Sequence, residues 1–269
     1  TFEQLKTAIE SSDAVISLTN DIKAPATVSG DYALVVPAGA TIEIQGNGHV
    51  LSADVTGTDV AGNLQADSSN YSMIQNNGYL TIDNLTIWGG AKSAIEVNSQ
   101  NKDYSLKLTN STIERTGSEN TQGGGIRNKY GNLYIENSKI SRNYASYGGG
   151  MLNEWGKLVI ENSSLNENRS TVDGGGAAEN KGGYFLMNNC TVANNYSNQN
   201  GGGLHNFACI ENANMTVMNS TIVGNVSGKV SRVVADFVIT NKAGVQCSML
   251  SVRLLNITML LQHLIMTIH

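Results

Sequence analysis

The chain has 269 residues, a formal net charge of −5 and only 14% charged residues, which argues against a nucleic-acid partner because phosphate binding needs a basic face. No apolar run reaches about 20 residues, which argues against a transmembrane helix. The 29 glycines and 33 asparagines, with only two prolines, predict short strands joined by tight turns rather than a disordered chain.

The N-terminus begins with a helical pattern. Phe2, Leu5 and Ile9 recur at helical spacing, which predicts a short amphipathic helix, and a strand pattern follows it. We assign residues 1–20 to a cap that covers the open end of a stacked fold. Residues 54–75 have no clear repeat, and we expect them to leave the stack as a looser segment.

Glycine triplets mark an internal repeat. They begin at Gly123, Gly148, Gly174 and Gly201, so that their spacings are 25, 26 and 27 residues. Each triplet leads within a few residues to an asparagine, and these asparagines are Asn128, Asn153, Asn180 and Asn206. Such a period indicates a repeat architecture.

A second motif lies between the triplets. An alternating apolar run reaches an asparagine, as in LYIEN and LVIEN, and a small residue and an apolar residue follow. A further asparagine closes the motif, at Asn143, Asn168, Asn195 or Asn225. The alternation predicts short strands with one buried face.

Together the two motifs predict the fold. Asparagine tolerates the left-handed backbone of a corner, and stacked asparagines can hydrogen-bond along a ladder. Glycine permits close approach of neighbouring coils. One repeat cannot bury its apolar face alone, so the repeats must stack. We predict an all-β, right-handed, single-stranded parallel β-helix over residues 21–225, with about 26 residues per coil.

The C-terminal segment 226–269 differs in composition. It holds four basic residues and one acidic residue, whereas the preceding 225 residues hold 13 basic and 21 acidic residues. One interpretation is a native cap over the last coil. The other is a loss of the reading frame near residue 226, which would leave a disordered tail without an evolved fold.

The sequence indicates no metal or cofactor site. The four histidines, His49, His205, His263 and His269, lack metal-ligand spacing. Cys190, Cys209 and Cys247 lack a CxxC motif, and both a Cys190–Cys209 bridge and free buried thiols remain open.

The repeats resemble those of the chlamydial polymorphic outer-membrane proteins, within the wider pectin-lyase-like superfamily. That type pairs a GGA[ILV] motif with an F-x-x-N motif. Here Gly124-Gly125-Ile126 and its repeats correspond to the first motif, with glycine at the alanine place. Ile140…Asn143 and its repeats correspond to the second, with aliphatic residues where phenylalanine is usual, over about residues 79–225. The resemblance implies an exported, adhesin-like bacterial protein, secreted or on the cell surface. The wider superfamily also contains polysaccharide lyases and hydrolases, so an enzyme is the alternative.

Residues beside the ladder asparagines are the candidates for catalysis. Arg127, Glu179 and His205 directly precede a ladder asparagine, and Glu154 follows one. Stacked coils would place them in a surface row at about 4.8 Å per coil, where Glu179 and His205 could act as acid and base. We favour the alternative of a solvent-exposed, salt-linked face.

Aromatic residues provide a second candidate surface. Aromatic rings stack on sugars and anchor protein contacts, although they also pack in cores. The candidates are Tyr130, Trp155 and Tyr184 after the ladder, and Tyr144, Tyr147 and Tyr196 near the second motif. We therefore favour a protein that binds a glycan or a partner surface without catalysis. Abundant N-x-S/T sequons would matter only in a glycosylating host.

Overall fold

A computed structural model of the chain describes residues 1–53, 70–99, 104–207 and 213–228, together with four strands beyond residue 228. The chain forms a right-handed parallel β-helix with one N-terminal helix, which confirms the predicted fold class. Several predictions fall outside the described residues: those for 54–69, Cys209, Cys247, His263 and His269.

Each coil contributes one strand to each of three nine-stranded parallel sheets. The first sheet contains β1 (Asp13–Ser17), β4 (Thr41–Gln45), β7 (Tyr79–Asp83), β10 (Leu106–Thr109), β13 (Asn132–Glu136), β17 (Lys157–Glu161), β21 (Tyr184–Asn188), β25 (Asn214–Met218) and β29 (Ser251–Leu255). The second contains β2 (Ile22–Lys23), β5 (Val50–Ser52), β8 (Thr86–Trp88), β11 (Thr112–Glu114), β14 (Lys139–Ser141), β18 (Ser164–Asn166), β22 (Thr191–Ala193), β26 (Thr221–Val223) and β30 (Thr258–Leu260). The third contains β3 (Tyr32–Val36), β6 (Ser72–Asn76), β9 (Ile95–Val97), β12 (Ile126–Lys129), β16 (Met151–Glu154), β20 (Ala178–Lys181), β24 (Leu204–Phe207), β28 (Phe237–Thr240) and β31 (Ile265–Thr267).

A fourth, shorter sheet lies between the second and third sheets in chain order. Its strands are β15 (Tyr144–Tyr147), β19 (Arg169–Asp173), β23 (Tyr196–Ser197) and β27 (Val226–Ser227). The two sequence motifs predicted short strands with one buried face and did not indicate this sheet. These strands carry little apolar alternation, because backbone pairing between coils rather than one buried face defines them.

The N-terminal helix, α1 (Phe2–Glu10), closes the first coil. Thr1 caps it in a capping box with Gln4, and Phe2, Leu5 and Ile9 are buried against the core. The next strand, β1, already pairs with β4 in the first sheet. The helix therefore covers the end of the stack, as its apolar spacing predicts.

The apolar rows of neighbouring coils stack in register to form the core. In the first sheet Leu133 pairs with Leu158, which pairs with Phe185, and the residue two positions later is also apolar in each strand. These side chains are at most 1% exposed. Burial of such rows is the main stabilising term, and no single coil could supply it alone.

The glycine triplets combine a left-handed turn with close approach of the coils. Gly148 has φ +56°, and the corresponding Gly123, Gly174 and Gly201 are also in the left-handed region. A Cβ on Gly149 would lie 2.5 Å from the carbonyl oxygen of Gly176 in the next coil. A larger residue at Gly149 would therefore push the two backbones apart.

The third-sheet asparagine ladder consists of Asn128, Asn153, Asn180 and Asn206. Each side-chain amide donates to the next coil, over 2.7 Å from Asn128 to Asn153, 2.7 Å from Asn153 to Asn180 and 2.8 Å from Asn180 to Asn206. All four side chains are at most 1% exposed. The ladder satisfies polar groups that would otherwise be buried without partners.

The second-sheet asparagine ladder consists of Asn143, Asn168, Asn195 and Asn225. In Asn168, Asn195 and Asn225, Oδ1 accepts both the backbone N–H and the side-chain amide of the asparagine in the preceding coil; for Asn195 these bonds from Asn168 are 2.8 and 3.0 Å. Asn143 Oδ1 accepts instead from the backbone N–H and the hydroxyl of Thr116. The second amide hydrogen of Asn168 reaches the Ile140 carbonyl at 2.9 Å. Each ladder residue therefore closes its corner and joins it to the next coil.

A buried row of hydroxyls accepts the remaining corner N–H groups, and Cys190 occupies one place in it. Ser138 N–H donates to Ser163 Oγ over 3.0 Å, and Cys190 N–H donates to Ser220 Oγ over 3.1 Å. Cys190 is a free, buried thiol whose Sγ lies 3.2 Å from the Asn188 carbonyl oxygen. Burial raises the pKa of Cys190 to about 11.

Two segments that the sequence set apart contain strands of the stack. Residues 72–75 of the expected looser segment 54–75 belong to strand β6 and pair with β3, so this part of the expectation is wrong. Strands β28 to β31 lie within the segment 226–269 and pair in parallel with the coil before them or with each other. The boundaries at 20 and 225 remain a prediction.

Asn153→Ala should lower the free energy of unfolding by about 2–4 kcal/mol, because it leaves the Asn128 amide and the Asn180 Oδ1 without this partner in the core. Chemical denaturation followed by circular dichroism measures the change. The control is Asn137→Gly, at an exposed corner with φ 49°, where glycine keeps the backbone and the loss should stay below about 1 kcal/mol. Equal losses in both variants would contradict the role of the ladder.

Cys190 should resist alkylation by iodoacetamide at pH 8 in the folded protein and react after unfolding, because burial disfavours its thiolate. Peptide mass mapping identifies the labelled thiol. Because the folded pKa lies above the ordinary value of 9.0, the contribution of this thiol to stability is complete below pH 9 and is lost as the pH rises towards about 11. Rapid native labelling at Cys190 would contradict this environment.

Candidate functional site

Two large aromatic residues occupy a strained backbone position where the third sheet turns into the first. The residue after strands β12, β16 and β20 has positive φ: 68° at Tyr130, 58° at Trp155 and 84° at Gly182. Glycine adopts this conformation freely, whereas a bulky residue is a genuine outlier there at a cost of roughly 1–3 kcal/mol. The chain therefore places two rings where glycine would be more stable.

These rings form the centre of an exposed surface. The Tyr130 and Trp155 rings stack with centroids 5.3 Å apart and planes 14° from parallel. Tyr130 is 48% exposed, and Trp155 and Tyr184 are each 36% exposed. Lys157 Nζ lies 5.8 Å from the centre of the Tyr184 ring. We name Tyr130, Trp155 and Tyr184 the aromatic corner.

The other three tyrosines that the sequence suggested for binding lie outside the aromatic corner. Tyr144 and Tyr147 belong to β15, and Tyr196 belongs to β23, all in the fourth sheet. They are half-buried, and the Arg169 guanidinium lies 4.8 Å from the centre of the Tyr196 ring. The structure therefore does not bring these three tyrosines into the aromatic corner.

The charged candidates line the outer side of the third sheet. Arg127 aligns with Leu152, which aligns with Glu179, which aligns with His205. Arg127 contacts the buried Glu154 carboxylate at 3.0 Å, through both Nε and a terminal nitrogen. Arg127 and Glu154 thus form one ion pair, and an apolar residue separates Arg127 from Glu179.

Glu179 and His205 are adjacent but buried. His205 Nδ1 lies 3.4 Å from Glu179 Oε1, and the residues are only 1% and 4% exposed, respectively. A Cβ on Gly174 would overlap with the Glu179 carboxylate, so this glycine leaves room for it. In the row of charged residues that the sequence predicted on the surface, Glu179 and His205 are therefore buried, and a polysaccharide could not contact them in this conformation.

A polar groove of about 640 Å³ lies over the N-terminal part of the third sheet. We name it the third-sheet groove; its lining residues are Asp31, Tyr32, Asn70, Ala91, Lys92, Ser93, Glu96, Ser118, Asn120, Thr121, Gln122, Arg127 and Lys129. Both signs of charge and several hydroxyls and amides meet there. Such a lining suits a polar ligand that both donates and accepts hydrogen bonds.

Glu96 and Asp31 are the two carboxylates among the lining residues of this groove, and Glu96 lies on the third sheet. Its Oε1 accepts from Ser72 Oγ over 2.7 Å, and its Oε2 accepts from the Tyr32 hydroxyl over 3.4 Å. Burial and the nearby Glu96 carboxylate raise the pKa of Tyr32, so its hydroxyl stays protonated. Asp31 contacts Lys92 at 2.8 Å, and this hydrogen bond and charge hold the pKa of Asp31 below its usual value.

Neither a metal cluster nor a membrane-spanning helix is found in the described part of the chain. No three histidine, cysteine, aspartate or glutamate side chains among the described residues are placed to hold a metal ion. None of the described helices is long and apolar enough to cross a membrane.

Residues 72–249 match the model of the right-handed β-helix region, which is more than half of the chain. The chain belongs to this β-helix family. No curated protein and no solved structure matches it. The matched range of this β-helix protein includes the aromatic corner and Glu96, whereas Asp31 and Tyr32 precede it.

Sequence reasoning missed Glu96 and Tyr32. Glu96 aligns with Arg127 across paired strands, and the segments AIEV and GIRN have the same phase. Val97 stands at the ladder position instead of asparagine, so the motif search passed over this coil. Tyr32 lies two coils earlier in a segment without the repeat signature, and only the stacked fold brings its hydroxyl to Glu96.

Proposed function

We propose that this β-helix protein is a secreted or cell-surface protein that binds glycans through the aromatic corner without transforming them. The observation that carries the proposal is the stacked, exposed Tyr130–Trp155 pair on a left-handed backbone. The adhesin-like role and the closer relation to the chlamydial polymorphic outer-membrane proteins belong to the same proposal.

The strain of the aromatic corner supports a functional role. Gly182 occupies the equivalent position one coil later, which indicates that the fold itself does not need a side chain there. Strained residues that persist are concentrated at functional sites. Rigid aromatic rings also offer a large contact area at a low cost in side-chain entropy, and both sugar rings and proteins use such surfaces.

The charges beside the rings favour a polar partner. Lys129 precedes Tyr130, Lys181 precedes Gly182, and Lys157 lies beside the Tyr184 ring. The acidic side chain between the two flanking lysines, Glu154, is buried and contacts Arg127. Ammonium groups around an aromatic platform can donate hydrogen bonds to sugar hydroxyls or acidic substituents, whereas a purely apolar partner would leave them unused.

The charged residues of the third sheet support binding over catalysis. Hydrolysis of a glycosidic bond generally needs two carboxyl groups on either side of the bond. Glu179 is buried, and in the third-sheet groove the Asp31 carboxylate is engaged by Lys92. Among the lining residues this leaves Glu96 without a matching second carboxylate.

Trp155→Ala should weaken binding to the glycans recognised on an array by about tenfold or more, because truncating a central aromatic anchor typically removes 2 kcal/mol or more. The control is Trp88→Ala, since Trp88 is the other tryptophan and lies in β8 of the second sheet. Thermal unfolding verifies that both variants are folded. Failure of the protein to bind any glycan, or equal binding by both variants, would refute the proposal.

An enzyme is the second candidate, and the third-sheet groove with its Glu96–Tyr32 contact is the observation that favours it. We expect bound polysaccharides, including uronic-acid polymers, to be recovered intact by size-exclusion chromatography. Turnover that falls about 100-fold or more in Glu96→Gln would instead identify Glu96 as an acid or base and replace the binding proposal. Turnover unchanged in Glu96→Gln would also refute non-catalytic binding and place the catalytic groups elsewhere.

A further inference from the structure

The N-x-S/T sequons of the repeats fall at two positions that differ in their environment. One set lies at the exposed corner between the first and second sheets: Asn84, Asn110, Asn162, Asn189 and Asn219. The other set belongs to the buried second-sheet asparagine ladder: Asn168, Asn195 and Asn225. Asn70 and Asn214 are sequons outside both sets, and Asn256 is a sequon outside the described residues.

The exposed set follows from the geometry of the corner. Each of these asparagines has φ between 49° and 54° and is exposed. The residue two positions later is the first residue of a second-sheet strand, as Thr112 is after Asn110 and Thr191 is after Asn189. Their side chains lie at exposed positions, and their amides form surface contacts such as the 2.7 Å bond from Asn189 to Asn162.

The buried set uses its amide hydrogens inside the stack. Asn168 Nδ2 donates to the Ile140 carbonyl at 2.9 Å and to Asn195 Oδ1 at 3.0 Å. Asn195 Nδ2 likewise donates to the Leu165 carbonyl and to Asn225 Oδ1, each at 2.8 Å. These side chains are 1% exposed or less, so no space remains beside the nitrogen.

N-linked glycosylation consumes one of these hydrogens. Transfer from a sugar diphosphate forms a bond between Nδ2 and sugar C1, breaks the bond from C1 to the phosphate oxygen, and releases one proton from Nδ2. At Asn168 the sugar would have to replace a ladder hydrogen bond and occupy packed volume. At Asn110 or Asn189 it would extend into solvent.

We propose that the corner set of sequons can be N-glycosylated in the folded protein, whereas N-glycosylation of the ladder set prevents folding. The protein therefore reaches its final location by a route on which N-x-S/T sequons are not glycosylated before the chain folds. This inference does not depend on the aromatic corner, so its failure would leave the glycan-binding proposal unaffected.

The test uses full-length protein made in a bacterial host and a soluble glucosyltransferase that attaches one glucose to N-x-S/T sequons. Native protein should acquire glucose at the corner set and none at Asn168, Asn195 or Asn225, as mapped by peptide mass spectrometry. In a second sample, the protein is unfolded in urea, glucosylated after partial dilution and then fully diluted. This sample should fail to regain the circular dichroism spectrum of the native protein. Unmodified protein taken through the same steps must refold, which shows that the modification is responsible.

Two sets of sequon-removing variants separate the positions. The first is a triple variant that removes the ladder sequons but keeps their asparagines: Ser170→Ala, Ser197→Ala and Ser227→Ala. Glucosylation of this variant in the unfolded state should no longer block refolding. The second is a triple variant that removes three corner sequons: Thr86→Val, Thr112→Val and Thr221→Val. Glucosylation of this variant in the unfolded state should still block refolding. Modification of Asn168, Asn195 or Asn225 in the native protein, or normal refolding of chains that carry glucose there, would overturn the proposal.

Discussion

Hydrogen bonding between stacked coils is the interaction on which the rest of the structure depends. Stacking of the coils buries backbone N–H and carbonyl groups where the chain turns from one sheet to the next, and these groups need hydrogen-bond partners. The two asparagine ladders and the hydroxyl row supply those partners from the neighbouring coil, through bonds such as those from Asn153 to Asn180 and from Asn168 to Asn195. Because each side chain serves the next coil, the apolar rows are also held in register, and the core becomes continuous.

The surface of the protein follows from the same constraint. Inward positions are committed to the core or to the ladders, so variation is possible at outward positions and at corners. The aromatic corner uses one such position, where Tyr130 and Trp155 accept a backbone conformation that Gly182 adopts more easily. The third-sheet groove uses outward positions of neighbouring coils, where Glu96 and Arg127 align. Function in such a fold therefore depends on side chains added to a scaffold that would stack without them.

The repeat made much of the fold predictable, whereas the surroundings of single residues were not. The glycine triplets and paired asparagines indicated parallel stacked coils, and the spacing of Phe2, Leu5 and Ile9 indicated the capping helix. Glu179 and His205 lie at the same outward-facing strand position as Arg127, yet they are buried, and the segment containing Gly174 packs against the Glu179 carboxylate. Phase along a strand determines the direction of a side chain, but the covering segment decides whether solvent reaches it.

The sequence by itself determined the parallel β-helix, its repeat length of about 26 residues and the positions of the third-sheet ladder asparagines, since each is set by local backbone preferences that recur from coil to coil. Only the tertiary structure decided which identical motifs are exposed and which are buried. Asn162 and Asn168 are both sequon asparagines six residues apart, yet one lies on an exposed corner and the other lies inside a ladder. The reason is that burial and the meeting of Tyr32 with Glu96 depend on contacts between coils, which residues distant in sequence supply.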